Sequence, residues 1–122
     1  MKRISILFMI LSISSCFHTF TEKTITVVYW VLCSNPVDIT YREDGIDHHI
    51  DQYEITSSGW EHTWQAPLLA EAYISAKNLG RGGFVYVRIT EFNGYHILRD
   101  EDSSQERNGT ATASWTVGAD SR

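Results

Sequence analysis

Hydrophobic and polar residues alternate along most of the chain from residue 22 onward. A period of two, in runs rich in β-branched and aromatic residues, is typical of β-strands. The strongest run, TITVVYWVLCS (24–34), predicts a strand that Asn35-Pro36 ends, because proline cannot donate to a β-ladder. This run is apolar on both faces, with Val27, Tyr29, Val31 and Cys33 on one and Val28, Trp30 and Leu32 on the other.

Turn signals separate further runs of the same kind. Asp44-Gly45 and Asn93-Gly94 are the strongest short hairpin signals, and the glycines of GRGG (80–83) predict another turn. The strands predicted after the first are 37–42, 47–56, 60–65, 68–78, 84–92, 95–99 and 110–117.

The structure of three segments needs more than the alternation pattern to predict. The run 47–56 is more polar, which predicts a strand at a sheet edge. The segment 68–78 has a helix-like content of Ala, Leu and Glu, but its alanines and Ile74 alternate with other residues, which favours a strand. The acidic stretch DEDSSQERNG (100–109) is predicted to be a loop.

Short strands with a turn signal about every 8–12 residues, and no convincing helix, indicate an all-β protein. The pattern predicts an antiparallel immunoglobulin-like β-sandwich of seven or eight strands over residues 23–118. The chain is long enough for one such domain, and it contains no internal repeat and no long linker.

The N-terminus has the layout of a secretory signal. Lys2 and Arg3 precede a largely apolar run, Ile4 to Ile13, which is shorter than the roughly 20 residues that span a bilayer. The run ends in Ile13-Ser14-Ser15-Cys16, which resembles the lipobox of bacterial lipoproteins. This resemblance implies a signal peptide over 1–15, a lipid anchor on Cys16 and a tether over 16–22. The alternative is a secreted protein with a Cys16–Cys33 disulfide.

The membrane and its face follow from the residues after the cysteine. Phe17 stands where an aspartate would retain some lipoproteins at the inner membrane, and no acidic run directs the chain to the cell surface. We therefore expect a lipid-anchored protein on the outer membrane, facing the periplasm.

The net charge restricts the partners that the domain can bind. The chain carries −5 at pH 7 with neutral histidines, and removal of the leader takes away two cations and no acid, which gives −7. An acidic domain has no electrostatic attraction for nucleic acid. We expect no nucleic-acid partner.

The residues that could carry chemistry do not form a recognisable catalytic motif. Asp47, His48, His49, Asp51 and His62 include three histidines, but alternation sends adjacent histidines to opposite faces of a strand. The glutamates lie on different strands, and Cys33 stands in an apolar run where burial would raise the pKa of its thiol. We therefore predict no catalytic residue, no metal site and no cofactor.

The aromatic residues are numerous for so small a domain. One interpretation places Trp30 and Trp115 in the core and pairs the others across strands. The functional interpretation is a flat surface that binds a sugar or a protein partner. The candidate residues for that surface are Trp60, Trp64, Tyr73 and Tyr86.

Several short marks also carry a family resemblance. They are Ile39-Thr40-Tyr41 before Asp44-Gly45, Trp60 at a strand start, Ser75-Ala76-Lys77 at a strand end, and Asn93-Gly94. Over residues 25–117 the chain resembles short bacterial lipoproteins with one immunoglobulin-like domain and, related to them, MmpS-type transport accessory proteins. It differs from the MmpS type in having SSGW where Leu-Pro-Trp is usual, and a short leader where that type has a membrane-spanning helix.

The resemblance implies a role beside membrane exporters of the resistance–nodulation–division class. With the lipobox, it predicts a non-enzymatic cell-envelope lipoprotein whose sandwich binds an envelope or exporter protein. The alternative is a carbohydrate-binding surface module that uses exposed aromatic residues on a glycan.

Overall fold

The computed structural model describes residues 23–53 and 59–119. The predicted signal peptide, Cys16 and the tether lie outside the described residues, as do positions 54–56 of the third predicted strand. No helix in the described part is long and apolar enough to cross a membrane.

Eight antiparallel strands form two four-stranded sheets. Sheet A has the order β4-β1-β6-β7, and sheet B has the order β3-β2-β5-β8. The predicted all-β, immunoglobulin-like sandwich is confirmed. The strands are β1 (Thr24–Cys33), β2 (Val37–Glu43), β3 (Ile46–Tyr53), β4 (Trp60–Pro67), β5 (Glu71–Asn78), β6 (Val85–Phe92), β7 (His96–Ser104) and β8 (Thr110–Thr116).

The core lies between the sheets and follows the predicted alternation. The inward side chains of sheet A are mostly large, whereas β5 and β8 supply small alanines together with Ile74. Small residues on one layer leave room for large ones on the other, as close packing requires. The fully buried core includes Val27, Tyr29, Val31, Val85, Val87 and Ile89 in sheet A, and Val37, Ala72, Ile74, Ala76 and Ala111 in sheet B.

Tyr29 joins the two sheets through its hydroxyl group. The hydroxyl donates to the Arg42 carbonyl oxygen at 2.5 Å and accepts from the Tyr73 backbone N–H at 3.1 Å. Burial raises the pKa of Tyr29 to about 12. This side chain therefore fixes the distance between β1 and the β2–β5 pair.

The Asp44-Gly45 hairpin prediction is confirmed. Asp44 and Gly45 both have positive φ, at 56° and 77°, as a type I′ turn between β2 and β3 requires. Asn93-Gly94 connects β6 and β7, and Gly94 has a φ of 77°. The edge position predicted for the third strand is confirmed too, since β3 pairs only with β2 in the described sheet.

The loop predicted over residues 100–109 is wrong in its first half. β7 continues to Ser104, and a β-bulge at Arg99 shifts its register against β6. The acidic residues of this stretch, whose composition is typical of a loop, bind the free edge of β8. The Asp100 carboxylate accepts from the Ser114 N–H at 2.9 Å, and Asp102 accepts from the Thr112 N–H at 3.0 Å.

Candidate functional site

The two outer faces of the sandwich differ sharply in chemistry. Sheet B presents polar side chains, whereas sheet A presents apolar and aromatic ones over β1, β6 and β7 beside a polar strip on β4 that contains Glu61, Thr63 and Gln65. On sheet B the outward residues include Thr40, Arg42, Asp47, Ser75, Lys77 and Thr112. The remaining outward residues of sheet A include Val28, Trp30 and Leu32 on β1, Phe84, Tyr86, Arg88, Thr90 and Phe92 on and before β6, and His96, Leu98 and Glu101 on β7, together called the Trp30 face.

The Trp30 face carries several large hydrophobic side chains although it does not contact the core. Its large hydrophobic side chains Leu32, Phe84, Phe92 and Leu98 are between 40% and 49% exposed. Single exposed hydrophobic residues are ordinary, but a contiguous set on one face marks an interaction surface. Leu32 and Phe84 lie at one end of the face and Phe92 and Leu98 at the other, with a more buried centre between them.

Trp30 forms that centre and is held on several sides. Its indole N–H donates to the Thr90 hydroxyl at 3.0 Å. The Arg88 guanidinium lies 4.5 Å from the centre of the indole ring, and His96 meets the ring edge-on at 5.1 Å. Thr90 and Val28 are only 3% and 4% exposed although they point away from the core. The indole is therefore fixed in position before any partner binds.

Arg88 and Glu101 are opposite one another on β6 and β7 but form no ion pair among the described residues. Arg88 lies over Trp30, and its Nε atom is buried without a hydrogen-bond partner. Glu101 is exposed and accepts a 2.5 Å hydrogen bond from the Tyr86 hydroxyl. Burial, and then the nearby Glu101 carboxylate, raise the pKa of Tyr86, whereas the neighbouring Arg88 guanidinium lowers it, so the Tyr86 hydroxyl lies between the two charges. The face thus carries two opposite charges that are not paired with each other.

No family model matches the chain, and no curated protein matches it at a significant level. The Trp30 face is therefore interpreted from its own geometry. Trp, Tyr and Arg dominate the energetic hot spots of protein interfaces, where less critical side chains surround them and exclude water. Trp30, Tyr86 and Arg88 inside a ring of exposed hydrophobic residues have this arrangement.

The structure separates the four aromatic residues predicted for a binding surface. Trp64 is 4% exposed and lies in the core, and Trp60 packs against the core from the same strand. Tyr73 lies on the outer face of sheet B, with the Arg42 guanidinium 5.0 Å from its ring centre. Only Tyr86 belongs to the Trp30 face, so the four residues do not form one surface.

Trp30 is the residue that the sequence interpretation missed, because it was assigned to the core. The signal was present in the sequence, since the β1 run is apolar on both faces. A strand that is apolar on both faces needs cover on both, and the described chain covers only one. The pattern therefore indicates that Val28, Trp30 and Leu32 lie on a face that is open to a partner.

His49 and His62 have different hydrogen-bond partners, whereas His48 and His62 both contact the Tyr41 ring. His49 hydrogen-bonds with the Thr40 hydroxyl at 3.0 Å, whereas the His62 Nε2 lies 2.7 Å from a Glu43 carboxylate oxygen. His48 stacks on Tyr41 with ring centres 5.0 Å apart. Within residues 23–53 and 59–119, no group of three or more His, Cys, Asp or Glu side chains could hold a metal ion.

Glu91 is a second residue whose environment the sequence did not reveal. It is 5% exposed and ends the inward face of β6. One carboxylate oxygen accepts from Arg99 at 3.0 Å, and the other accepts from the Trp115 indole N–H at 2.7 Å and the Gly118 N–H at 3.0 Å. A fully hydrogen-bonded carboxylate paired with arginine is a structural element of this end of the domain.

An open cavity of about 450 Å³ lies beside this pair, between the start of β1 and the β6–β7 hairpin. Glu91 and Arg99 line it together with Ile25, Phe92 and Ile97. Glu91 and Arg99 already form an ion pair with each other, so this pair offers the cavity no unpaired charge for a ligand.

Cys33 is half-buried, and its thiol donates to the Asn35 carbonyl oxygen at 2.8 Å. Burial raises the pKa of the Cys33 thiol, which makes it a poor nucleophile at neutral pH.

Proposed function

We propose that this chain is a non-enzymatic, lipid-anchored cell-envelope protein that binds a protein partner through the Trp30 face. The observation that carries the proposal is the contrast between the two outer faces of the sandwich. One is polar, whereas the other has a fixed Trp–Arg centre within four exposed hydrophobic side chains. Burial of that ring against a partner would remove apolar surface from water, which is the main driving force of association.

The anchor rests on the sequence Ile13-Ser14-Ser15-Cys16 behind a charged and apolar leader. A diacylated and N-acylated cysteine supplies the two or more acyl chains that stable membrane attachment requires. We place the protein on the outer membrane facing the periplasm, with the domain held close to the bilayer. In this position the transport-accessory role of MmpS-type proteins is a specific form of the same proposal, with an exporter protein as the partner.

A protein partner suits the Trp30 face better than a glycan. Sugar rings stack on open aromatic faces, but the Arg88 guanidinium already covers one side of the Trp30 ring. His96 blocks another approach by meeting the ring at its edge. A fixed centre with a hydrophobic rim is instead the arrangement of a protein interface.

The anchor is tested by the mass of the protein expressed in a bacterium with its native leader. The wild type is expected to gain the mass of the lipid and to fractionate with membranes, whereas Cys16→Ala is expected to remain unlipidated. If both chains were cleaved alike without lipid, the anchor would be excluded.

The binding face is tested with a photo-crosslinking amino acid at Leu98 in the same cells. Lys77, exposed on the outer face of sheet B, is the matched control position. We expect a reproducible protein adduct from position 98 and none from position 77. Arg88→Ala should reduce the adduct at least tenfold without changing the thermal unfolding midpoint by more than a few degrees. Equal adducts from both positions would reject the Trp30 face, and binding on a glycan array would favour the carbohydrate alternative.

A further inference from the structure

We propose that the partner of the Trp30 face is a second copy of this chain. This inference rests on the proposed function and names its partner. The two copies pair face to face through sheet A, with a two-fold axis parallel to the strands between β6 and β7. β6 of each copy then lies over β7 of the other, while Trp30 on β1 borders the overlap and supports Arg88 from within its own sheet.

The two opposite charges of the face, which no direct ion pair joins within the described residues, favour this arrangement. Arg88 and Glu101 are neighbours across β6 and β7, yet no ion pair joins them in the described chain. A two-fold axis between these strands places Arg88 of each copy opposite Glu101 of the other. The face is therefore complementary to itself in charge, as an isologous interface must be. The contact with the Trp30 ring, 4.5 Å from the guanidinium, holds the Arg88 cation on this face.

The hydrophobic ring is compatible with the same axis. Phe84, Phe92 and Leu98 lie on or beside the two strands that overlap, at 42%, 40% and 49% exposure. Facing sheets pack about 10 Å apart with their side chains interdigitated. In this register Phe92 of one copy lies over His96 of the other, and Leu98 lies over Thr90, so these side chains pack beside the two charged contacts.

The membrane anchor selects this axis over the perpendicular one. A two-fold axis parallel to the strands leaves the Thr24 ends of both β1 strands on the same side of the dimer. Residues 16–22 reach at most about 24 Å, so both lipidated cysteines can enter one membrane. An axis across the strands would place the two Thr24 ends at opposite sides.

The interface is small, because only two strands of 8 and 9 residues overlap in each copy. It belongs at the low end of the size range, below roughly 1,200 Å² in total, where association in solution is weak. Anchoring confines the copies to one surface and raises their effective concentration. We therefore expect the dimer on membranes at protein densities where the unanchored chain is monomeric.

The test uses the full chain with its native leader, co-expressed with two different epitope tags and carrying the photo-crosslinker at Leu98. We expect a crosslinked species of twice the monomer mass that contains both tags. Arg88→Glu alone, or Glu101→Arg alone, places like charges across the interface and should reduce this species at least tenfold. Co-expression of one tagged R88E chain with one tagged E101R chain should restore the mixed species to within about twofold, because opposite charges then face each other in the heterodimer only.

The matched control is the Arg42–Asp47 pair on the outer face of sheet B, joined at 2.7 Å. Arg42→Glu and Asp47→Arg change the net charge by the same amounts and should leave the crosslinked dimer unchanged. A dimer that responds equally to both sets of reversals would overturn the inference, as would single reversals that mixing does not rescue.

The same experiment separates this inference from the proposed function. If position 98 captured only a different envelope protein, the second copy would be excluded and the proposed function kept. If position 98 captured nothing, both would fall.

Discussion

At the scale of single residues, the domain places two ionisable groups in its interior and satisfies both. Tyr29 spans the sandwich with its hydroxyl between Arg42 and Tyr73, and Glu91 binds Arg99, Trp115 and Gly118. Buried polar groups of this kind add little net stability when paired, but their loss is costly because the remaining partner stays desolvated. Both therefore make sharp tests of the structure.

Replacement of Glu91 by glutamine should destabilise the domain by about 3 kcal/mol, because it removes the buried carboxylate that pairs with Arg99 and accepts hydrogen bonds from Trp115 and Gly118. The free energy of unfolding in urea measures the effect. Glu61→Gln, at an exposed position of β4, is the matched control and should change it by less than about 0.5 kcal/mol. Equal effects at both positions would contradict the buried pair.

Tyr29 should make the domain less stable at alkaline pH. Its pKa is raised to about 12 in the folded protein from 10.0, so the folded state holds its proton more tightly than the unfolded state. The stability is fully present below pH 10 and is lost as the pH rises toward 12, by roughly 2–3 kcal/mol. Urea unfolding of the wild type and Tyr29→Phe at pH 9, 10 and 11 should show a steeper decline in the wild type. Parallel declines would exclude this role for Tyr29.

At the scale of elements, β7 shows what the sequence could and could not predict. Alternation located every strand, because burial on one face imposes a period of two. Alternation did not predict that β7 continues through residues 100–104, where the acidic side chains bind the edge of a strand from the other sheet. Such a contact joins distant parts of the chain and leaves no local pattern.

The predicted set of aromatic residues does not form one binding surface, for a related reason. Alternation assigns a residue to one of two faces, but it does not say which face of the sheet meets the core when both are apolar. Trp30 on β1 was ambiguous in this sense, whereas Trp64 on β4 was placed on a surface although it lies in the core. Tyr73 and Tyr86 were both outward as predicted, but they belong to different sheets.

Removal of the two edge carboxylates should expose the free edge of β8. In the double variant Asp100→Ala with Asp102→Ala, the Thr112 and Ser114 amide hydrogens lose their acceptors and should exchange with solvent at least tenfold faster. The Ala113 amide is the internal control, because that residue is paired with Ile74 of β5 in the sheet. Unchanged exchange at both edge amides would contradict the capping role.

We also expect the double variant to aggregate more readily at equal concentration. An uncovered strand edge presents free N–H groups to other chains. Light scattering during storage measures this tendency.

At the scale of the whole molecule, the sandwich is polar on one outer face and apolar on the other. The native protein should therefore bind a hydrophobic dye without unfolding. Leu32→Ser with Leu98→Ser removes two members of the Trp30 face and should reduce the dye fluorescence severalfold. Leu68→Ser with Leu69→Ser is the matched control, because these leucines are 47% and 75% exposed in the β4–β5 turn. Equal losses from both variants would show that the dye does not distinguish the face.

The position of β1 has a mechanical consequence. β1 is paired along almost its whole length with β4 on one side and β6 on the other. A pulling force on the chain before Thr24 acts along this strand, so it loads the hydrogen bonds of both neighbours in shear at the same time. These hydrogen bonds cannot break one after another, as they would if an edge strand were peeled from its sheet. A domain pulled from its N-terminal side through this strand should therefore resist unfolding under tension.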